Sequence, residues 1–170
     1  IFEYVLRDMT SPEGGFYSAE DADAGGVEGR FHTWTPGEVR AVLPEREAAI
    51  FCRAYDIGPH GNFEEGRSIP HLPRPVGVVA GQLGMDEAPL AAILADARER
   101  LFTARERRVK PQKDDKILAS WNGLMAAALA RGAQVLEEPA LARAASRAAS
   151  FVLDRMREPG TGRLLHRFRE

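Results

Sequence analysis

Three short stretches of this chain carry residue types that could do chemistry. The first is Gly14-Gly15-Phe16-Tyr17-Ser18-Ala19-Glu20-Asp21-Ala22-Asp23, which sets Glu20, Asp21 and Asp23 on a glycine-framed segment. Paired carboxylates are what glycosidic chemistry uses, one as acid and one as base or nucleophile. Mutual repulsion can keep one of such a pair protonated near neutrality. Composition alone favours a plainer alternative, a solvated acidic turn, because acids and glycines are ordinary loop residues. A calcium loop is a poor fit. Asp21, Asp23 and Gly26 match the first, third and sixth EF-hand positions, but the twelfth is His32 in place of the bidentate glutamate.

The second stretch, Gly61-Asn62-Phe63-Glu64-Glu65-Gly66, places an amide, an aromatic ring and two acids in an irregular segment. Asn62 and Glu64 could bind a polar ligand. Equally, Asn62 could stabilise a turn while Phe63 fills the core. The third is Asp114-Asp115-Lys116-Ile117-Leu118-Ala119-Ser120-Trp121-Asn122-Gly123-Leu124-Met125. Asp114 and Asp115 could do acid–base work, or could cap a helix and face its dipole. Trp121-Asn122-Gly123 is odd inside a helix, since asparagine and glycine cost stability against alanine. A tryptophan beside an amide can hold a sugar, ring face to C–H and amide to hydroxyl, although tryptophan is more often core.

No cofactor or metal is expected. His32, His60, His71 and His166 form no set, and Cys52 sits in an apolar helix as a core thiol. No zinc spacing, phosphate-cradling glycine–lysine loop or dinucleotide fingerprint occurs. A single cysteine also rules out an intrachain disulfide.

The elements that must position these residues read as mostly helical. Phe2–Met9 ends a helix, and Thr10-Ser11-Pro12-Glu13-Gly14-Gly15 breaks it. Phe16–Ser18 and Phe31–Trp34 read as two short strands of a β-hairpin with a long acidic tip. Thr35-Pro36-Gly37-Glu38 carries a capping box with proline in the first turn. Pro44 opens the next helix, with Ile50, Phe51 and Tyr55. Gly58–Pro75 is a long loop. Asp86 caps a helix bearing Leu90, Ile93, Leu94, Ala97 and Leu101 at helical spacing. A further helix is expected from Asp114 or Asp115, with Ile117, Leu118, Trp121, Leu124 and Met125 as its apolar stripe. Glu138-Pro139 separates it from a last helix that buries Leu141, Ala144, Ala145, Ala148, Val152 and Met156. The total is about six helices and one or two β-hairpins.

The chain also resembles itself. At an offset of 147 residues, Val5, Leu6, Met9, Pro12 and Gly15 fall on Val152, Leu153, Met156, Pro159 and Gly162. This reads as a repeated unit of helix, Pro-Gly turn and short strand. Helical repeats must stack to bury their apolar faces.

Apolar residues are 44% and charged residues 28%, as in an ordinary globular protein. A formal charge of −2 argues against a nucleic-acid partner. No apolar run approaches the ~20 residues that span a bilayer, so no membrane partner is expected, and a cytoplasmic location is the default. Lysine occurs only at Lys110, Lys113 and Lys116, so arginine supplies most of the positive charge. The chain opens on Ile1 inside what reads as a helix and closes on Leu164–Glu170 without a natural stop, so an excerpt of a larger protein is expected.

Taken together, several motifs resemble one family. Leu6-Arg7-Asp8-Met9 followed by Gly14–Asp23 is one signature; Glu28-Gly29-Arg30-Phe31 and Trp34-Thr35-Pro36 continue it. Gly61-Asn62-Phe63-Glu64 is another. Arg105, Arg108, Pro111, Asp114-Asp115-Lys116 and Ser120-Trp121-Asn122-Gly123-Leu124-Met125 complete it. The pattern is similar to the thioredoxin-domain-containing proteins of the YyaL and spermatogenesis-associated protein 20 type, in order over nearly the whole chain. The resemblance implies an N-terminal thioredoxin-like domain followed by a helical region similar to six-hairpin glycosidases and N-acylglucosamine 2-epimerases, an (α/α)6 toroid. Residues 1–170 are then one partial, mainly α toroid domain, with a small β-hairpin near the N-terminus. The thioredoxin-like domain and the other hairpins lie outside the chain.

The epimerases use paired histidines, whereas the matching positions here are carboxylates, aromatics and amides. Carboxylate chemistry on a small saccharide is therefore the expectation, with Asp21, Asp23, Asp114 and Asp115 as acid–base candidates. Glu20, Trp34, Asn62, Glu64, Trp121 and Asn122 would hold the ligand. The alternative is a non-catalytic scaffold or binding module serving the thioredoxin-like domain. Half a toroid would expose apolar helix faces, so self-association is also expected.

Overall fold

The computed structural model describes residues 1–169. It is mainly helical. In chain order the elements are α1 (Phe2–Asp8), β1 (Tyr17–Glu20), β2 (Asp23–Ala24), β3 (Val27–Glu28), α2 (Pro36–Val42), α3 (Glu45–Ala54), α4 (Val76–Leu83), α5 (Glu87–Arg105), β4 (Lys113–Leu118), α6 (Ala119–Leu136), α7 (Pro139–Arg155) and β5 (Arg167–Phe168). A single 3-10 turn, Glu64–Gly66, interrupts the long loop. The residues group into two compact units, one of Ile1–Asp21 with the segment from Gln112 onward, the other of Ala22–Pro111.

The first unit is an αα-hairpin and a three-stranded antiparallel sheet of order β1-β4-β5. Tyr17 lies opposite Ile117, and Ile117 opposite Phe168. The α6–α7 pair is antiparallel and joined by a two-residue turn in which Glu137 takes φ 55°. Its contact is made of small residues, with Ala144, Ala145 and Ala148 of α7 buried beside Leu129 and Leu141. Gly132 is buried where any Cβ would collide with the Phe2 ring. A second apolar cluster joins Ile117 to Phe151, Val152 and Met156. A buried leucine such as Leu129 contributes about 1.5–3 kcal/mol through the water it sheds.

The repeat seen in the sequence is a repeat of backbone. Met9 closes α1 at φ −108°, ψ 9°, and Met156 closes α7 at φ −115°, ψ 7°. Each methionine carbonyl then accepts an N–H from the returning chain, Tyr17 at 2.8 Å and Leu165 at 2.7 Å. The bridges Thr10↔Phe16 and Arg157↔Leu164 close the two turns. Both exits feed β4, one on each edge.

The second unit packs α2, α3, α4 and α5 around Val39, Phe51, Val79, Leu90, Leu94 and Leu101. The capping box at Thr35 forms, with Glu38 N–H donating to the threonine oxygen and Thr35 N–H to the glutamate. β2 and β3 make a two-residue hairpin whose loop is Gly25-Gly26, at φ 64° and 80°. Positive φ at both central residues is the type I′ requirement, which glycine meets without strain.

Four expectations change. Phe31–Trp34 is a turn with an isolated Trp34↔Ser68 bridge, not a strand, and β1 pairs instead with β4. Asp114 and Asp115 do not cap a helix, because Lys113–Leu118 is the central strand and α6 starts at Ala119. The polar run Lys-Asp-Asp-Lys has weak strand propensity, but both repeat exits present open backbone to it. The expected stripe of α6 dissolves with it: Ile117 is buried in the strand, while Trp121 is 54% and Leu124 72% exposed. Val76–Leu83 is a helix that sequence reading passes over, so the described residues hold seven α-helices.

Candidate functional site

The carboxylates of the acidic stretch fall in different local settings. Glu20 ends β1 opposite Lys113, accepts a hydrogen bond from Tyr4 Oη at 2.7 Å, and lies 3.7 Å from Lys113 Nζ. Burial and then the Glu20 carboxylate raise the Tyr4 phenol well above its ordinary pKa, so it stays a donor. Lys113 Nζ also donates to the Asp8 carbonyl. Asp21 is exposed, and its N–H donates to the Gln112 carbonyl. Asp23 is an exposed residue of β2 and belongs to the second unit.

The β4 aspartates are ion-paired. Asp114 Oδ2 lies 3.0 Å from Lys116 Nζ, and Oδ1 accepts the Lys116 N–H. The Lys116 side chain is the main reason its carboxyl sits below the usual range. Asp114 therefore stays ionised at neutral pH and is suited to base or electrostatic roles, not to proton donation. Asp115 Oδ1 pairs with Arg169 Nε at 2.7 Å.

Among the expected ligand holders, Trp34, Asn122 and Asn62 make structural contacts. Trp34 is buried, and the Arg108 guanidinium lies 3.8 Å from its ring centroid. Asn122 is 2% exposed. Its Oδ1 accepts Phe16 N–H at 2.7 Å, and its Nδ2 donates to the Phe16 and Leu118 carbonyls, both at 3.0 Å. An asparagine inside α6 is thus accounted for as a clamp on Phe16, the residue that leads into β1, with both amide hydrogens used. Asn62 shapes the long loop, accepting Ile69 N–H at 2.8 Å and donating to the Ile69 carbonyl. Glu64 is exposed in the 3-10 turn. Trp121 keeps an open ring on α6.

What the first unit does bring together is a cavity of about 100 Å3. Tyr17, Phe151 and Phe168 form aromatic walls, with Phe151 and Phe168 edge to face at 5.3 Å. Glu13 and Asp115 supply carboxylates. Glu13 is tied to Arg155 at 3.1 Å, as Asp115 is to Arg169. Ser11 also lines the cavity, and its Oγ is buried without a hydrogen-bond partner. A buried hydroxyl left unpaired costs about 1–3 kcal/mol, which a ligand could recover. Asp115 is the one expected site residue in this lining. Ser11, Glu13 and Phe168 escape sequence reading, although the repeat register points at them: they sit in the two equivalent exits from α1 and α7.

A different network organises the second unit. Glu38 accepts from Arg67 Nη2 at 2.8 Å, and Arg67 also donates to Thr33 through Nε at 2.7 Å and to its carbonyl. Arg108 Nη1 reaches the carbonyls of Arg30, Phe31 and Thr33 at 3.1, 3.2 and 2.8 Å. Burial pushes the Glu38 carboxyl up, but the Thr35 N–H and the two arginines outweigh it and hold it below the usual range. Burial, and then crowding by neighbouring arginines set against Glu38, lowers Arg108, which still remains a cation. Burial also pushes the Cys52 thiol up, consistent with an inert core thiol. Among the described residues no group of His, Cys, Asp and Glu side chains is placed to hold a metal ion.

Comparison with known proteins assigns the family. Human spermatogenesis-associated protein 20 is 31% identical over 189 aligned positions, covering 97% of this chain. The rat protein is 31% identical over 96% of the chain. Along its length, this chain belongs to the spermatogenesis-associated protein 20 family. An uncharacterised protein from Caenorhabditis elegans is 30% identical over 89% of the chain. The chain spans 24% of the length of these relatives. No protein-family model matches it.

Proposed function

We propose that the chain is part of a carbohydrate-active domain, an (α/α)6 toroid in the whole protein, and that its first unit binds one end of a saccharide. One observation carries the reading: an unpartnered buried hydroxyl, Ser11 Oγ, on a residue that lines a cavity with three aromatic walls and two carboxylates. Sugars present C–H faces that pack on aromatic rings and hydroxyls that carboxylates accept from. The cavity is smaller than the ~300–1,000 Å3 of ordinary ligand pockets, so it suits a terminal residue or a short polyol. Asp115 is the carboxylate placed to accept a hydroxyl proton, and Asp114 beside it stays charged. Asp21 and Asp23 keep their expected acid–base role only if the rest of the protein brings a substrate to them.

The test is a thermal-shift screen of the full-length protein against mono- and disaccharides, uronates and amino sugars. One class should raise the melting temperature, and Asp115→Asn or Phe168→Ala should abolish the shift. A shift from no sugar, or one that ignores both substitutions, overturns the reading.

A specific feature favours a second reading, a helical scaffold for a thioredoxin-like domain. Trp121, Leu124 and Val135 leave an apolar stripe exposed along α6. Disulfide-reduction assays on full-length protein, with and without Leu124→Glu, would separate the two: the scaffold reading requires altered reduction, the saccharide reading does not.

A further inference from the structure

We propose that residues 22–111 carry a separate binding pocket for a small phosphate-type dianion, read by Arg30, Arg107 and Arg108. The three arginines line one cavity of about 480 Å3, together with Phe31, Gly25 and Glu38. The chain as a whole is slightly acidic, at −2, so three guanidiniums on one cavity are a local concentration and not the background. The single carboxylate in the lining, Glu38, is already engaged by Arg67.

The three cations play different parts. Arg108 is fixed: its Nη1 is committed to three carbonyls, its plane lies over Trp34, and its Nη2 is 3.6 Å from Glu38. It supplies a preorganised charge whose Nη1 is already used. Arg30 and Arg107 are exposed, and neither enters an ion pair among the described residues, so their forked donors are open. Paired N–H groups of a guanidinium match two oxygens of a phosphoryl group, which a single ammonium cannot do. A second observation points the same way. Arg105, just behind the lining, pairs through Nη2 with Glu106 at 3.2 Å, but its Nε is buried without an acceptor and its guanidinium lies 4.9 Å from the ring centroid of Phe31, a wall of the cavity. The lining itself carries three guanidiniums against one carboxylate, an excess of positive charge that an anion would balance.

The same phosphoryl chemistry could come from inorganic phosphate or from a phosphorylated sugar, and titration separates them. Full-length protein is titrated calorimetrically, at constant ionic strength, with inorganic phosphate, glucose 6-phosphate, glucose and chloride. Saturable binding of phosphate and glucose 6-phosphate is expected, and none of glucose at this site. Arg107→Gln and Arg30→Gln should each weaken it about tenfold or more, because each removes a bidentate donor. Arg107→Lys, which keeps charge but loses the fork, should fall between. Glucose 6-phosphate binding more tightly than phosphate identifies a sugar phosphate; equal affinities identify the phosphoryl group alone. Both positions are exposed, so the variants should melt with wild type. Absence of saturable phosphate binding, binding that chloride abolishes at equal ionic strength, or binding indifferent to Arg30→Gln and Arg107→Gln overturns the proposal. Because neutral sugars are assigned to the first unit, Asp115→Asn should leave phosphate binding unchanged, which keeps failure of one assignment distinct from failure of the other.

Discussion

The two units solve the same problem with opposite chemistry. Each must hold an irregular segment against helices, and each uses a buried polar clamp to do so. In the first unit the clamp is neutral: Asn122 takes both polar groups of Phe16 and one carbonyl of its own helix. In the second it is charged: Arg67 and Arg108 gather the Thr33 hydroxyl, Glu38 and the carbonyls of Arg30, Phe31 and Thr33. A neutral amide needs no counter-charge and can be fully buried. A guanidinium brings charge that one glutamate only partly offsets, which leaves the second unit with an arginine-lined cavity and the first with a cavity of carboxylates and rings. On the proposed readings, ligand preference follows from how each loop is held.

The largest effect should come from breaking the neutral clamp. Asn122→Leu removes three hydrogen bonds and strands the Phe16 N–H and carbonyl inside the protein. Unmet buried groups cost about 1–3 kcal/mol each, so a loss of about 3 kcal/mol is expected in chemical denaturation. An effect under about 1 kcal/mol would mean that water or a shifted β1 takes over these bonds. Arg67→Met should cost less, about 1–2 kcal/mol, because the Arg67 side chain keeps 14% and Glu38 38% exposure, and solvent screens their attraction. If Arg67→Met proved the more damaging, the ranking of the two clamps would be reversed.

Acid sharpens the comparison further. Glu38 has a lowered carboxyl pKa when folded. Its contribution is therefore present above the unfolded glutamate pKa of about 4.3 and is lost as pH falls through that value toward the folded one. Glu38→Gln should flatten this part of the pH–stability curve, whereas Asn122→Leu should lower the curve without changing its slope there. An unchanged acid limb in Glu38→Gln would remove Glu38 from the account.

Much of the helical frame was legible because its signals are local. The capping box at Thr35-Pro36-Gly37-Glu38, the spacing of Leu90, Leu94, Ala97 and Leu101, and the alanines of α7 each depend on residues within a few turns of one another. The backbone repeat was legible because Met9 and Met156 carry the same neighbours. β4 was not legible, since its pairing partners lie at Tyr17–Glu20 and Arg167–Phe168, far along the chain, and its own residues prefer other conformations. That one error moved Asp114 and Asp115 from helix caps to strand positions and hid the cavity, whose walls come from three distant segments. Trp34 and Asn122 show another limit of sequence: the residue types that grip a ligand also grip backbone, and burial and partners are visible only in the fold.

The smallest stability effect is the most discriminating one. Asp115→Asn breaks an exposed pair with Arg169, and exposed pairs are worth about 0–1 kcal/mol, so its melting temperature should stay close to wild type. Phe168→Ala, by contrast, strips a wall of the cavity and a ring packed on Phe151, so it should destabilise measurably as well as weaken ligand. The two variants therefore separate recognition from packing. Loss of saccharide response in Asp115→Asn at full stability can only reflect the carboxylate itself, whereas loss in Phe168→Ala alone would show that the cavity is a packing defect between two repeat exits. Ser11→Ala completes the argument, since removing an unpartnered buried hydroxyl should leave the free protein unchanged or slightly more stable. If Ser11→Ala stabilises the protein and also weakens a bound sugar, the hydroxyl is held unpaired for a ligand; if it stabilises and changes no binding, nothing in the cavity needs it.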